Sequence, residues 1–416
     1  MRIVKLTPRT EKWLLARRAQ RDDEAHSVAA AIVADVRKRG DSALFDWTKK
    51  LDELDLAQAG VWISQKEIRA AKAQVSSDFL KAIQIAAKNV RRVAEKQLPR
   101  PWTIETEPGV KINQRVSPIE SVGCYIPGGR FSLVSTLVMT AVPAKVAGVS
   151  RIIAVCPRPN PELLATASLL GVEKIARVGG AQAIAVLAYG TKSIPRVEKI
   201  FGPGNKYVTA AKQLVSSDCA IDLPAGPTEA IVLAAEGNAR WFAADLLAQA
   251  EHAKDAASFF VTTSRALAHE VQREIKWQLA ELPPGMASVS TETAGAILVA
   301  ASLEQACDFV NRFAPEHLSL PENAERLLKR IRSAGTVFLG PWGAQPLGDY
   351  ATGSNHVLPT GGWARKRGGL SAADFVKCLS VQTISRNGFL RLADTVETLA
   401  ESEGLIAHRN AVRIRR

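Results

Sequence analysis

The 416-residue chain has few cysteines, no long apolar run and nothing resembling an export signal. Its five cysteines are odd in number and form no Cys-x-x-Cys pair, which argues against a disulfide framework and a thiolate zinc cluster. No segment approaches the roughly twenty apolar residues that span a bilayer. The chain also turns polar too soon after Met1 for a signal peptide. We therefore expect a soluble, cytoplasmic protein with no membrane partner.

The formal net charge of +13 comes without a nucleic-acid pattern. Lys and Arg are dispersed over helical faces and concentrate only from Arg409 to Arg416, with no aromatic interleaving. A solvated basic surface is the simplest interpretation, and a field that attracts an anionic cofactor is the second. Nucleic-acid binding is the third, and we expect no nucleic-acid partner.

The length exceeds what one hydrophobic core usually supports, so two or more domains are expected. Apolar residues spaced for helices predict a helical first hundred residues, with helices at 25–39 and 77–97. From Ile119 onward, short apolar runs alternate with amphipathic helices, which is typical of parallel sheets built from βαβ units. Two α/β units joined near residue 230 are predicted.

The alternation defines two series of elements. The first has predicted strands at 151–156, 172–178 and 197–201, with helices at 161–170, 181–189 and 204–216. The second has predicted strands at 230–234, 258–263, 295–299, 318–320 and 336–339, with helices at 239–252, 265–282, 303–313 and 324–333. The remaining chain is rich in Gly and Pro after Gly340, then ends in a helix at 388–403 and a short basic tail.

No Gly-x-Gly-x-x-Gly follows a strand, so the usual dinucleotide-binding fingerprint is absent. Three glycine-rich turns take its place: Gly123-Cys-Tyr-Ile-Pro-Gly-Gly, Gly179-Gly-Ala-Gln and Gly202-Pro-Gly-Asn. The last two lie where a strand hands over to a helix, and free backbone N–H groups at such turns favour phosphate. Glycine at a turn is often purely structural, but three such turns in one unit favour an anionic ligand.

Polar motifs in the second series suggest metal and proton chemistry. Gln249 and His252 are three apart on a predicted helix and share a face, so they offer a mixed oxygen and nitrogen cation site. Such pairs are more often surface or capping pairs. Glu316 and His317 lie at a predicted strand start and can take protons near neutral pH, although a satisfied polar pair is the alternative.

Two further segments carry polar side chains, namely Gly348-Asp349-Tyr350 with Asn355-His356, and Glu403 to His408. Four of the six histidines in the chain fall in these four polar segments.

Taken together, these segments make the sequence similar to the histidinol dehydrogenase family. The resemblance runs from about residue 25 to 412 and rests on Val122-Gly-Cys-Tyr-Ile-Pro-Gly-Gly, Val178-Gly-Gly-Ala-Gln-Ala-Ile-Ala, Phe201-Gly-Pro-Gly-Asn, Pro224-Ala-Gly-Pro-Thr-Glu, Gln249-Ala-Glu-His252, Pro315-Glu-His-Leu, Gly348-Asp-Tyr-Ala-Thr-Gly-Ser-Asn-His-Val-Leu-Pro-Thr and Ala407-His408. It implies oxidation of L-histidinol to L-histidine through the aldehyde, with two NAD reduced in turn.

The resemblance also implies roles for individual residues. One zinc per active site would be held by Gln249, His252, Asp349 and His408, with the substrate completing an open catalytic shell. Glu316 and His317 match the acid/base pair. We assign His317 as the base that takes the alcohol proton, and Glu316 as the group that activates water for addition to the aldehyde.

The remaining predicted contacts concern cofactor and substrate. The predicted NAD contacts are Tyr125, Gln182 and Asn205. The predicted substrate contacts are Thr228, Gln249, His252, His317, Asp349, Glu403 and His408. Thr228 stands where many family members have Ser, but the hydroxyl is kept. The loop 361–369 is unusually basic and could modify access to the site.

The carboxyl-terminal tail crosses between subunits of a homodimer in the family, which implies that Glu403 and His408 complete the partner's site. The predicted fold class is α/β, with two incomplete Rossmann-like parallel-sheet domains, a helical N-terminal segment and an extended dimerisation tail. The predicted divisions are an N-terminal segment at 1–24, a catalytic α/β domain formed by 25–122 and 232–375, an NAD-side α/β domain at 123–231, and an exchanged segment at 376–416.

Two alternative functions remain open at this point. One is a related zinc- and NAD-dependent dehydrogenase of another small polar alcohol, such as a sulfonated diol. The segment from Glu403 to His408, followed by Arg-Asn-Ala-Val, favours the histidinol type. The other is a basic α/β nucleic-acid-binding protein, which would explain the charge but leave the Glu-His and Gln-x-x-His motifs without a role.

Overall fold

The computed structural model describes residues 1–18, 22–128, 132–223 and 226–416. Two motifs noted above extend into the remaining positions, at Gly129 and at Pro224-Ala225, which lie outside the described residues. Within the described ranges, no helix is both long enough and apolar enough to cross a membrane.

Helices and strands alternate along most of the chain. The strands are β1 (Arg2–Lys5), β2 (Trp102–Glu107), β3 (Val110–Pro118), β4 (Ser121–Tyr125), β5 (Arg151–Val155), β6 (Lys174–Ala176), β7 (Lys199–Phe201), β8 (Ala220–Ile221), β9 (Glu229–Leu233), β10 (Ala257–Thr262), β11 (Ala296–Val299), β12 (His317–Leu320), β13 (Thr336–Leu339) and β14 (Val376–Ile384). The helices are α1 (Pro8–Arg18), α2 (Asp23–Arg39), α3 (Asp41–Asp52), α4 (Leu56–Ala59), α5 (Gln65–Ala70), α6 (Ser77–Gln97), α7 (Val134–Ala147), α8 (Pro161–Leu170), α9 (Gly180–Tyr189), α10 (Lys206–Val215), α11 (Ala239–Ala250), α12 (Arg265–Glu281), α13 (Met286–Thr293), α14 (Leu303–Phe313), α15 (Ala324–Leu328), α16 (Gln345–Tyr350), α17 (Arg386–Ser402) and α18 (Ile406–Arg413).

The first α/β unit contains a five-stranded parallel sheet in the order β6-β5-β4-β7-β8. β4 is buried along its whole length, as expected for a central strand covered by helices on both faces. Successive strands are added first on one side of β4 and then, from β7, on the other. The crevice at the carboxyl ends of β4 and β7 is therefore a topological switch point, where open α/β sheets bind ligands.

The second unit contains a six-stranded parallel sheet in the order β1-β11-β10-β9-β12-β13. The predicted α/β alternation is confirmed in both units. The described part of the first hundred residues is helical as predicted, except that Arg2–Lys5 forms a strand that pairs with Ala296–Val299 at the edge of this sheet. A four-residue strand is too short to show the alternation that identifies strands from sequence.

The N-terminal helices pack on the five-stranded sheet. Ala29, Ile32 and Val36 form the buried stripe of α2 and share one core with residues of α9 and α10 such as Ile184 and Val208. This packing differs from the predicted grouping of 25–122 with the other unit. A helical stripe identifies a buried face but does not identify which sheet will cover it.

A separate arm is formed by β2, β3, β14, α17 and α18. β14 pairs antiparallel with β3 from Val376–Pro118 to Ile384–Val110, and β2 pairs with the other edge of β3. The last predicted helix is present as α17, and the tail that follows it contains a second helix, α18. Many large apolar side chains of the arm are exposed, among them Trp102, Ile104, Leu379, Ile384, Leu390, Val396, Leu399, Leu405, Ile406 and Ile414.

Candidate active site

The predicted acid/base pair lies at the amino-terminal edge of the six-stranded sheet. Glu316 immediately precedes β12, His317 is its first residue, and Thr228 immediately precedes the neighbouring strand β9. Parallel pairing of His317 with Ala230 brings these strand starts together. Glu316 and His317 are both buried in this arrangement.

Glu316 is held by two donors. Its Oε2 accepts hydrogen bonds from the Thr228 hydroxyl and, at 3.0 Å, from the backbone N–H of Glu229. Burial disfavours the charged carboxylate and raises the pKa of Glu316 above its ordinary value, although His317 and these donors oppose the shift.

His317 lies between two carboxylates. Its Nδ1 is 3.8 Å from Glu316 Oε2 and its Nε2 is 3.6 Å from Asp349 Oδ1. Burial favours the neutral imidazole, but the two carboxylates outweigh burial and raise the pKa of His317. Burial alone would raise the pKa of Asp349. The neighbouring His317 imidazole outweighs burial, so the pKa of Asp349 is lowered. The arrangement therefore suits a proton acceptor that becomes a stabilised imidazolium.

A one-way chain of hydrogen bonds leads to Glu316 from Gln345, the first residue of α16. The side-chain amide of Gln345 donates to Gln249 Oε1, Gln249 Nε2 donates to Thr228 Oγ1 at 2.5 Å, and Thr228 donates to Glu316. Because the Thr228 proton is committed to the carboxylate, Thr228 can only accept from Gln249. This orientation turns the carbonyl oxygen of the wholly buried Gln249 amide towards α16, the helix that carries Asp349.

The sequence predicted that His252 and Gln249 share one face of a helix. In the structure they do not. α11 ends at Ala250, and His252 is exposed in the turn that follows. The Glu251 and His252 N–H groups both bond back to the Gln249 carbonyl, so the last turn tightens and the helix does not continue. His252 nevertheless lies near enough to contribute to lowering the pKa of Asp349.

Glu403 and His408 lie on the arm and are both exposed. Glu403 immediately follows α17, and His408 lies on α18, which packs against α17. In the described part of the chain, no group of three or more His, Cys, Asp or Glu side chains is placed to hold a metal. One chain thus brings Gln249, Asp349 and the acid/base pair into one region and leaves Glu403 and His408 on its surface.

The residues that position α16 received no role from the sequence pattern, although His356 lies in one of the polar segments. Asp245, one turn before Gln249 on α11, accepts a hydrogen bond from the backbone N–H of Gln345, and burial raises the pKa of Asp245 to about 6. His356 holds the other end of the helix, with its Nδ1 2.8 Å from the Asp349 carbonyl oxygen. No sequence signal marked Gln345, since its partner Gln249 is 96 residues away.

The predicted NAD contacts surround the switch point of the five-stranded sheet. Tyr125 ends β4, and its hydroxyl accepts a hydrogen bond from the Gly180 N–H at 3.2 Å. Gly202, which follows β7, packs so closely on the Tyr125 carbonyl that a side chain there would overlap it. Gln182 is buried in the first turn of α9, and its Oε1 has no hydrogen-bond partner among the described residues.

In both predicted phosphate-binding turns, at Gly179 and at Gly202, backbone N–H groups bond to side chains of the protein itself. Asn205 caps α10 by accepting from the N–H groups of Tyr207 and Val208, each at 3.1 Å. The carboxylate of Asp52 accepts from the Gly179 N–H at the start of α9. The N–H groups of these turns are therefore less available to phosphate than the glycine pattern suggested.

The basic loop 361–369 is tied into the fold. Arg367 donates to the Asp222 carbonyl and to both carboxylate oxygens of Asp374, at 3.0 and 3.1 Å. Arg365 donates to the Arg312 carbonyl at 3.2 Å. Lys366 lies over the ring of Trp363 within the loop. Arg365 and Arg367 thus join residues of both units, while Arg365 and Lys366 remain exposed to solvent.

Comparison with known proteins gives a consistent result. A sequence model of histidinol dehydrogenase matches residues 15–416. The histidinol dehydrogenase of Methanosarcina mazei is 45% identical over 93% of this chain and 90% of its own length. That of Geobacter sulfurreducens is 45% identical over 97% of this chain and 96% of its own. The crystal structure of histidinol dehydrogenase from Elizabethkingia anophelis superposes with a TM-score of 0.93 at 38% identity, covering 100% of this chain and 98% of that one.

Proposed function

The chain belongs to the histidinol dehydrogenase family of NAD-dependent oxidoreductases, and on that premise we propose that it oxidises L-histidinol to L-histidine through the aldehyde, reducing two NAD in turn, in histidine biosynthesis. The observation that carries this proposal is the buried Glu316–His317–Asp349 cluster, which is linked through Thr228 to Gln249. It provides proton acceptors beside oxygen donors suited to a cation.

We propose that zinc is held by Gln249, His252 and Asp349 of one chain and by His408 of a second. The donors fit zinc, because amide oxygen, carboxylate and imidazole are ligands that it accepts. Thr228 supports the assignment by directing the Gln249 carbonyl towards the helix of Asp349. When bound, the metal would orient the imidazole and amine of the substrate.

Proton transfer is assigned to the two residues at the start of β12. His317 takes the alcohol proton as hydride passes to the first NAD, and the two carboxylates beside it stabilise the imidazolium that results. Glu316 then takes a proton from the water that adds to the aldehyde, so that the hydrate can deliver a second hydride to a second NAD. Thr228 and the Glu229 N–H hold Glu316 in place for this step.

We propose that two chains share their active sites. Glu403 and His408 are exposed on the arm of one chain, and the arm exposes a series of large apolar side chains that water solvates poorly. Burying this face against a second chain would deliver Glu403 and His408 to the partner's cluster. Two complete sites would then form per homodimer, by the symmetry of such an interface.

A single assay tests the activity. The purified protein should form two NADH for each L-histidinol consumed, lose turnover on chelation and regain it with zinc. One NADH for each substrate, or turnover of a sulfonated diol in preference to histidinol, would favour the related dehydrogenase. Absence of turnover together with steeply salt-dependent DNA binding would favour the nucleic-acid alternative.

A further inference from the structure

The end of β5 carries a basic residue where dinucleotide-binding sheets usually carry an acidic one. In such sheets an acidic side chain about one βα unit after the glycine turn binds the ribose hydroxyls of NAD, whereas an arginine accommodates the 2′-phosphate of NADP. Here β5 ends at Val155 and is followed by Cys156, Pro157 and Arg158. The side chain of Arg158 is 60% exposed and its guanidinium lies 3.8 Å from the exposed Glu53 carboxylate, so a phosphate would compete with that carboxylate for its charge.

An acidic side chain reaches this place from a different part of the chain. Asp52 is the last residue of α3, and its Oδ2 accepts a hydrogen bond at 3.0 Å from the side-chain amide of Gln182, a predicted NAD contact. Arg158 donates to the backbone carbonyl of the same Asp52 at 2.5 Å. The half-buried carboxylate and the guanidinium therefore flank the same corner of the switch-point crevice.

The position of Asp52 is unfavourable for its own helix. An acidic side chain at a helix carboxyl terminus is repelled by the partial negative charge there. Its carboxylate instead faces the positive amino terminus of α9, at Gly179. It also lies beside Gln182, whose Oε1 is an unpartnered buried acceptor among the described residues. A cofactor that brings hydroxyl donors would bond the half-buried Asp52 carboxylate.

We propose that Asp52 is the residue that selects NAD over NADP. Its carboxylate accepts hydrogen bonds from the ribose hydroxyls of NAD and repels the 2′-phosphate of NADP, which Arg158 would otherwise attract. The carboxylate that β5 lacks is thus supplied by a helix more than one hundred residues earlier in the chain. This inference rests on the proposed placement of NAD beside Tyr125 and Gln182.

A simpler role would be structural, with Asp52 acting only as a cap for α9. The two roles differ in what the negative charge does. Asp52→Asn keeps the shape and the acceptor oxygen but removes the charge, so a cap would be largely retained. Cofactor selection would change, because the electrostatic repulsion of the phosphate would be gone.

The test measures binding and turnover separately. Dissociation constants of NAD and NADP are measured by calorimetry without histidinol, and kcat/KM is measured for both cofactors with it. Asp52→Asn should shift the NAD-to-NADP preference towards NADP at least tenfold in both measurements. The matched control is Asp46→Asn on the same helix, whose exposed carboxylate pairs with Arg39 and should leave the preference unchanged.

Two further variants separate the effect of the Arg158 charge from a failure of the asparagine variant to fold. Adding Arg158→Gln to Asp52→Asn should remove the gain in NADP binding, and Asp52→Ser repeats the loss of charge if the asparagine variant does not fold. An unchanged preference, or equal weakening of both cofactors, would overturn the proposal. If the wild type binds NAD but oxidises no histidinol, the proposed substrate fails while a shifted binding preference in Asp52→Asn still supports the role of Asp52.

Discussion

The two parallel sheets place their functional residues at opposite edges. In the five-stranded sheet, Tyr125 and the turns at Gly179 and Gly202 follow strands, at the carboxyl edge. In the six-stranded sheet, Thr228 and Glu316 precede strands, at the amino edge. Helices that follow parallel strands begin at the carboxyl edge and end near the amino edge, so the two edges differ in electrostatic potential.

This difference suits NAD at one edge and the proposed zinc at the other. Helix amino termini carry partial positive charge and favour anions such as the NAD pyrophosphate. Helix carboxyl termini carry partial negative charge and favour cations. α11 ends at Ala250 beside Gln249, and α14 ends at Phe313 shortly before Glu316. An edge with helix carboxyl termini is thus a suitable place for zinc and for an imidazolium.

The two edges also differ in whether one chain supplies all of the proposed ligand contacts. The amino edge already holds a buried hydrogen-bond chain through Gln249, Thr228 and Glu316, yet two of its proposed ligands, His252 and His408, are exposed. The carboxyl edge has its predicted contacts within one chain. We therefore expect the amino edge to depend on a second chain and the carboxyl edge to depend on its own internal clamps.

The largest effect should come from removing the proposed contribution of the partner. Deletion of all residues after Glu401 should lower turnover below detection, because it removes Glu403 and His408, while circular dichroism shows that both sheets remain folded. A chain truncated after Arg413, which retains both residues, is the matched control and should stay active. Full turnover by the shorter chain would contradict a shared amino-edge site.

The second effect concerns the acid/base pair. Glu316→Gln should reduce kcat about a thousandfold, or about 4 kcal/mol, because the amide can still accept from Thr228 and Glu229 but cannot take a proton. Steady-state assays started from the alcohol and from the aldehyde should show the greater loss in aldehyde oxidation. Equal rates in wild type and variant would remove Glu316 from the mechanism.

The third effect tests the clamp of the carboxyl edge. Lys212 and Asp222 form a buried ion pair. Lys212 also donates to the Gly202 carbonyl at 2.9 Å, and Asp222 accepts from the Gly202 N–H at 2.8 Å. Lys212→Met should lower the free energy of unfolding by about 3 kcal/mol, because a buried carboxylate loses its partner. Urea denaturation measures the loss, and KM for NAD should rise as the turn loosens.

The double variant Lys212→Met with Asp222→Asn is the control for that clamp. It removes both charges and should recover much of the stability. If it is less stable than Lys212→Met alone by the full cost of a second deletion, the two side chains act independently and the pair is not a clamp.

The smallest effect tests the orientation of Gln249. Thr228→Val removes the acceptor that fixes the Gln249 amide and should weaken zinc binding about tenfold, the lower end for residues that orient metal ligands. Thr228→Ser keeps the hydroxyl and should bind zinc like the wild type. Competition with a chromogenic chelator measures both affinities, and an unaffected valine variant would show that Thr228 does not orient the ligand.

Much of this organisation was predictable from the sequence. Strand and helix alternation follows from the spacing of apolar residues, and adjacency alone places Glu316 beside His317. Helix ends were less predictable, as the last turn of α11 shows, because they depend on which carbonyls the terminal N–H groups find. The strand at Arg2–Lys5 needed a partner almost three hundred residues away before it could form.

The sequence by itself determined the family, the two α/β units and the types of side chain available for metal and proton chemistry. Only the tertiary structure decided that Gln345 contacts Gln249, that Asp52 contacts Gln182, and that the two sets of residues lie at opposite sheet edges. The physical reason is that these two contacts join side chains that are 96 and 130 residues apart. Residue type and spacing report the local chain path, whereas such contacts depend on how whole helices and sheets pack.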